Sequence, residues 1–394
     1  MSWEIKKLSE CCASIADGDH QAPPKADSGI PFVTISNINS TNQFDFTNTM
    51  FVPQAYYDGL DSKRKAQKGD VLYSVVGSFG IPVYTREPVP FVFQRHIEIL
   101  RPKDAILPQF LYYTMLSRDF YMMADAAALG AAQRTVSLTA LRNMKIAVPP
   151  MDVQKKIVDI LSAYDDLIAN NQKQIKLLEE AAQRLYKEWF VDLRFPGHET
   201  TPITDGIPER WTVQSMNDIA EYINGYAFKP TDWGTVGKPI IKIKEMGSGV
   251  TTDTPRNTGE DIPEKYNVTA GDILFSWSAT LSAMIWDEEN GLLNQHLFKV
   301  IPGEGISREF VLQSILKTLD EFSNLTTGST MKHIQRGKLK EVKVNVPPTE
   351  LMEQYRNISE PIREQILNVK RQIILLREAR DRLLPKVMNG EIEV

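Results

Sequence analysis

Cysteine is almost missing from this 394-residue chain: only the adjacent Cys11 and Cys12 occur. Such a pair can build neither a disulfide framework nor a four-cysteine zinc site. We expect both to be small packing residues within a helix. No apolar run approaches the ~18 residues of a membrane span, and the opening MSWEIKKLSE is not a signal peptide, so no membrane partner and a cytoplasmic location are expected. Histidine is scarce, at five residues, and none has metal-ligand spacing. A basic arm is also lacking. Net charge is -5 overall, with +1 over residues 1–150, -2 over 151–204, -4 over 205–348 and 0 over 349–394. Nucleic-acid binding would therefore rest on local clusters or basic partners.

Catalytic signatures are missing too. There is no phosphate loop ending in Lys-Ser/Thr, no His-Glu-x-x-His, and no Asn-Pro-Pro-Tyr/Phe of amino-methyltransferases. Gly247-Ser248-Gly249 reads as a turn. Glu341-Val342-Lys343 has the Glu-x-Lys spacing of some metal-dependent nucleases, but the matching Asn143-Met144-Lys145 lacks the acid, so nuclease chemistry is disfavoured.

What is present is a long periodic stretch, Asp152 to about Phe190. Leu161, Ile168, Ile175, Ala182 and Trp189 recur every seventh residue, and Ile157, Tyr164, Asn171, Leu178 and Leu185 form a second series offset by four. This is the a/d stripe of a helix packed along a partner helix. Neither Gly nor Pro interrupts it between Pro149-Pro150 and Pro196-Gly197. At about 1.5 Å per residue it would be roughly 58 Å long, the length of a spacer.

The chain also repeats itself. Trp3 matches Trp211, Pro31–Ile35 matches Pro239–Ile243, Gly69-Asp70-Val71-Leu72 matches Gly271-Asp272-Ile273-Leu274, and His96 matches His296. From Gly130 and Gly328 onward the offset settles at 198, through Val148-Pro149-Pro150 and Val346-Pro347-Pro348. A second long helix is therefore predicted over about 349–388, capped by Thr349. Its core series includes Ile362, Ile366, Val369, Ile373, Leu376 and Leu383, with Tyr355, Ser359, Arg380 and Val387 at other core positions. Pro361 should bend it and Pro385 should fray its end. The two stripes most simply bury each other as an antiparallel pair.

The fold class is α+β: two similar mixed α/β domains separated by two long helices that form an antiparallel coiled coil, a pseudo-twofold internal repeat. The expected boundaries are 1–150 (domain 1), 151–195 (spacer helix 1), 196–210 (linker), 211–348 (domain 2) and 349–390 (spacer helix 2). Within each domain 31–38 and 239–243, 70–76 and 272–277, 91–100 and 292–301, and 145–148 and 343–346 read as strands. Residues 108–123 and 307–319 read as helices.

Candidate contact residues lie where the copies differ. Gly130-Ala-Ala-Gln133-Arg134-Thr135 faces Gly328-Ser-Thr330-Met-Lys332-His333-Ile-Gln-Arg336, and both offer groups able to reach base edges or phosphates. A solvated helix start is the plain alternative. Lys63, Arg64 and Lys65 form a basic triplet, and Lys242 and Lys244 would share one face of a strand. Ser78, Arg95 and Ser278 flank the strands after the Gly-Asp turns and beside the paired histidines. His96 and His296 read best as supports of a hairpin. Phe79, Tyr84, Trp277 and Trp286 read as core.

Trp3 before a leucine-bearing helix, Gly69-Asp70-Val71-Leu72, Val148-Pro149-Pro150 and the glutamine-bearing long helix, all written twice, closely resemble the specificity subunit of type I restriction-modification enzymes. The full duplicated order carries the resemblance, since no motif alone is specific. It implies two target-recognition domains, each reading half of a bipartite site in double-stranded DNA, in a bacterium or archaeon. The paired helices would set the unspecified spacer and dock two methyltransferase subunits, which two restriction/translocase subunits can join. No cofactor is implied for this chain; S-adenosylmethionine, ATP and magnesium would belong to the partners. Pro361, Pro385, Ser359 and Arg380 depart from a regular second helix. A repeat-built adaptor, with coiled helices binding protein and lobes binding something other than DNA, is the competing reading.

Overall fold

The computed structural model describes residues 3–19, 22–39, 41–87, 89–130, 133–324 and 336–394. They divide into two compact units, Met1–Asn170 with Ile373–Val394, and Asn171–Gln372. Each unit thus takes in a piece of both long helices.

In the first unit the strand Glu4–Lys7 pairs antiparallel with Lys145–Val148, so the start of the chain lies beside the strand that launches the long helix. A short helix, Leu8–Cys11, turns the chain into a four-stranded antiparallel sheet. Its order is Cys12–Asp17, Ile97–Pro102, Val71–Ser74, Pro82–Tyr84. The central strand Val71–Ser74 is wholly buried, which is why it is a continuous apolar run rather than an alternation. Gly69 enters it at φ +93, a left-handed conformation that glycine adopts without strain. Asp70 then closes the turn: its carboxylate accepts from the Gln67 amide at 2.8 Å and from Arg101 at 2.9 and 2.8 Å. A second sheet holds Met50–Val52, Ile30–Val33 and Val92–Phe93, the last two parallel.

The second unit repeats this wiring. Thr212–Ser215 pairs with Lys343–Val346, and Ala220–Asn224, Leu297–Pro302, Ile273–Ser276 and Ser282–Ile285 form the four-stranded antiparallel sheet. Arg256–Asn257, Lys238–Ile241, Gly291–Leu293 and Asn267–Val268 form the second sheet.

Several expectations need correction. The stretches 91–100 and 292–301 are not single strands. Each breaks at its Gln/Asn-x-His segment, because the residues before the break belong to one sheet and those after it to the other. His96 and His296 therefore stand at a crossing between sheets, not at a hairpin. Residues 108–123 form two helices, Pro108–Leu116 and Arg118–Ala127, with Ser117 capping the second through its hydroxyl, 3.3 Å from the Phe120 amide. Cys11 ends a helix but Cys12 opens a strand; both are buried.

The first long helix runs Met151–Tyr186 and ends in a π-turn, Lys187–Val191. The second runs Thr349–Met388. Thr349 is its first helical residue rather than its cap, since the Pro348 carbonyl accepts from the amides of Leu351 and Met352, both at 3.0 Å. The helical assignment is unbroken across Pro361, and Pro385 does not fray the end: its carbonyl accepts from the Asn389 amide at 2.9 Å.

The stripe residues point inward. In the first unit Ile157 and Leu161 of the first helix and Leu384, Val387 and Met388 of the second share one core with Leu8, Phe110 and Leu141. Ile168 and Ile373 are also buried, whereas Tyr164, Leu376 and Leu383 are half-buried. In the second unit Tyr186, Trp189 and Phe190 pack with Phe310, Leu351, Met352 and Tyr355. There Ile366 and Val369 are buried, with Ile175, Leu178, Leu185 and Ile362 half-buried.

Candidate DNA interface

The first domain brings four of its candidates together from distant parts of the chain. Val75 and Val76 continue from the buried strand into a turn at Gly77-Ser78. Residues 133–136 fold back on it: Gly77 donates to the Arg134 carbonyl at 3.0 Å and Val136 to the Val75 carbonyl at 2.9 Å. Leu129 and Thr135 exchange two backbone bonds, at 2.9 and 2.8 Å. Ser78, Gln133 and Arg134 are exposed there and Thr135 is half-buried. Arg134 is held in place by the Asp125 carboxylate and lies 5.5 Å from the Phe79 ring, which stacks on Tyr121 at 5.8 Å and 12°. Phe79 is core, as expected. Its partner Tyr121 is 41% exposed and had no signal in the sequence beyond being aromatic.

The basic triplet does not form one patch. It lies at the 3-10 turn Ser62–Arg64, where successive side chains diverge. Arg64 reaches Asp17 at 3.1 Å, Lys65 donates to the Asp58 carbonyl at 2.9 Å, and Lys63 is exposed. Arg95 is exposed at the sheet crossing, with its amide bonded to the Asp19 carbonyl at 3.0 Å. Burial and the neighbouring Arg95 charge lower the pKa of His96.

In the second domain Lys242 and Lys244 do not alternate along a strand. The strand ends at Ile241, and the Glu245 carboxylate caps the Lys242 amide at 3.1 Å, turning the chain into the helix Ile243–Ser248. Lys244 is exposed on that helix, whereas the Lys242 ammonium sits 5.1 Å over the Trp233 ring. Trp233 is 48% exposed and was not singled out from the sequence. The only hint was its place in a Pro-Thr-Asp-Trp-Gly turn. Its loop is fixed by Asn257, whose amide donates to the Asp232 carbonyl at 2.9 Å, and by the Gly234–Arg256 bridge.

Ser278 is not a surface contact. It is buried, with its hydroxyl 3.2 Å from His296 Nδ1, so the pair ties the turn after one strand to the sheet crossing. Trp286 is fully buried, as expected, with its indole N–H donating to the Glu289 carbonyl at 2.9 Å. Thr330, Lys332 and His333 lie outside the described residues. Arg336 opens the 3-10 turn Arg336–Lys340, and its side chain is likewise outside the description. The Glu341-x-Lys343 triplet gathers no carboxylates: Glu341 pairs with Lys338 at 2.7 Å. Among the described residues no cluster of histidine, cysteine and carboxylate could hold a metal, and no helix is long and apolar enough to cross a membrane.

Beside the first domain lies a polar junction rather than a ligand site. Asp165 accepts from the Tyr113 hydroxyl and from Arg380, both at 2.7 Å, and Asp166 meets Arg86 at 2.5 Å. The space left among these groups is about 20 Å³, room for a water and little else. The second unit has its own version: Arg363 forks onto Glu309, both bonds at 3.0 Å, and Lys370 meets Asp287 at 2.5 Å.

The family model for the type I restriction modification DNA specificity domain matches residues 2–180 and again 208–367. The chain belongs to the family of type I restriction-modification specificity subunits. It is 22% identical over 354 residues to the MjaIX specificity subunit of Methanocaldococcus jannaschii, covering 84% of this chain and 80% of that one. To the HindI specificity subunit of Haemophilus influenzae it is 22% identical, covering 92% and 95%. The putative MjaX specificity subunit, also of M. jannaschii, is 24% identical and spans 100% of this chain and 94% of its own. The crystal structure of the S subunit from Mycoplasma genitalium shares the fold, with a TM-score of 0.52 at 14% identity over 98% of this chain and 96% of that one. The specificity subunit is a non-catalytic, DNA-recognising component, in keeping with its family.

Proposed function

We propose that each globular domain is a target-recognition domain reading one half of a bipartite site in double-stranded DNA. Residues 1–150 and 211–348 form these domains, and 151–195 and 349–390 form the spacer helices, with a linker over 196–210. The two helices pair as an antiparallel coiled coil about a pseudo-twofold axis. Their length sets the unspecified spacer, and they dock two methyltransferase subunits, with restriction/translocase subunits joining through these. S-adenosylmethionine, ATP and magnesium would be bound by those partners, not by this chain.

One observation carries this reading: the same sheet wiring occurs twice, while the equivalent segments Gln133-Arg134-Thr135 and Met331-Lys332-His333 differ in sequence. Each domain also sets a cation by an aromatic ring at a place of its own, Arg134 beside Phe79 in the first and Lys242 over Trp233 in the second. A shared framework with divergent loops is what reading two different half-sites requires. Antiparallel pairing is supported within each unit, where the start of one helix packs beside the end of the other. Methylome sequencing of a host strain with and without this gene tests the proposal. Loss of methylation at one split motif is expected; an unchanged methylome would refute it.

A further inference from the structure

Trp3 and Trp211 occupy matching places in the two units but are covered differently. In the second unit the chain leaving the first long helix turns back over the indole. Phe195 packs on Trp211 with ring centroids 5.0 Å apart, and the two are only 4% and 8% exposed. Val346 and Leu351 belong to the same core. The covering segment is pinned by its own turn: the His198 amide donates to the Phe195 carbonyl at 3.0 Å, and the Thr201 hydroxyl to the Gly197 carbonyl at 2.9 Å.

In the first unit the same place is open. At the offset of 198 the position of Phe195 holds Glu393, which is exposed. Trp3 and Val153, the counterparts of Trp211 and Leu351, are only half-buried, and Gly390 runs beside the Trp3 ring. What remains is a groove of about 980 Å³ walled by Trp3, Val148, Pro149, Val153, Ile392 and Val394. Among the described residues Trp3 is the only aromatic in its wall. The volume is at the upper end of the roughly 300–1,000 Å³ of small-ligand sites. An indole face beside prolines and aliphatic side chains is the surface on which extended, proline-bearing peptides dock. The rim is acidic, with Glu393 exposed and Glu4 also exposed, its carboxylate 2.9 Å from Lys6. In the second unit the residue before Phe195 is basic, and it too meets acid: Arg194 forks onto Glu188 at 2.6 and 2.8 Å.

We infer that the groove beside Trp3 is a docking site for an extended segment of a partner protein that carries a basic residue, an aromatic ring and a proline in that order. The second unit shows the fit within this same chain, where Arg194-Phe195-Pro196 fills the equivalent place. The ring would lie on the Trp3 indole, the proline would continue along the apolar wall, and the cation would face Glu4 and Glu393. The inference does not depend on which DNA the domains read.

Fluorescence anisotropy of a labelled peptide with the sequence of residues 193–202, Leu-Arg-Phe-Pro-Gly-His-Glu-Thr-Thr-Pro, titrated with the full chain tests this. Saturable binding is expected, and the same peptide with Phe195→Ala should bind at least tenfold more weakly. In the chain, Trp3→Ala and Ile392→Arg should each weaken binding at least tenfold. Ile392 is 40% exposed, so its variant guards against a folding defect in the tryptophan variant. Val236→Arg, at a 74% exposed position in the second unit, should leave binding unchanged. Absence of saturable binding, equal binding of the Phe195→Ala peptide, or no effect of Ile392→Arg would each overturn the site. Sedimentation of the chain alone covers the remaining occupant: self-association that Ile392→Arg abolishes would put a second copy in the groove and overturn the separate partner.

Discussion

Glu98 lies in the middle of the first domain's four-stranded sheet, 3% exposed, with one carboxylate oxygen lacking a partner. Burial, aided by the nearby Asp17 charge and opposed by Arg142, pushes its pKa up to about 8. The equivalent strand position in the second domain holds Phe298, a side chain that suits the site without cost. An acid whose folded pKa exceeds its unfolded one binds protons more tightly when folded. Stability is therefore fullest below the unfolded value near 4.5 and is lost as pH rises toward 8. Thermal melts should show the unsubstituted chain losing several degrees between about pH 5 and pH 8, with Glu98→Gln flattening that loss. A parallel pH profile in the variant would refute the assignment. At the same scale, Arg134→Ala and Lys242→Ala should each relax base preference in one half-site only, by about 1–3 kcal/mol if the contact is to a base edge. Binding assays across variant sites decide this, because a phosphate contact would weaken all sequences about equally.

Among the elements, the long helices divide their labour by face. Their stripe residues are buried or half-buried, and the exposed positions lie on the other faces. Charge fixes how each helix piece meets its domain, with polarity reversed between units. The first helix offers Asp165 and Asp166 to Tyr113 and Arg86, whereas the second offers Arg363 and Lys370 to Glu309 and Asp287. Asp165 and Arg380 are 10% and 13% exposed, so removing one partner strands a nearly dry charge. Arg380→Ala should destabilise the chain by about 3 kcal/mol, and Asp165→Asn added to it should recover much of that. Denaturant melts check the cycle; additive losses would mean the pair is uncoupled. Arg380, which the heptad pattern marks as an irregularity, is thus explained by a partner that the pattern could not reveal.

Across the whole molecule, the ruler idea makes a geometric prediction. Removing one heptad from both helices takes out about 10 Å, close to three base pairs at 3.4 Å each. Methylation mapping should then find the unspecified spacer shortened by about that amount, with both half-sites unchanged. An unaltered spacer would defeat the idea.

The duplicated order, the two long helices and the Gly-Asp turns into buried strands were all legible in the residues. Each is a local property: a repeat offset, a heptad period, a glycine where φ must be positive. The misread positions depended on what returns from far along the chain. The apolar runs 91–100 and 292–301 break because two sheets claim their halves, and no periodicity records that claim. Ser278 is hidden by His296, and Lys242 is turned from its strand by Glu245. Tyr121 and Trp233 gained meaning only when folding set a cation beside the ring, with Phe79 bridging Arg134 to Tyr121. Period and turn chemistry act between neighbours in sequence and so determined the architecture; exposure and pairing act between neighbours in space, and only the tertiary structure could decide them.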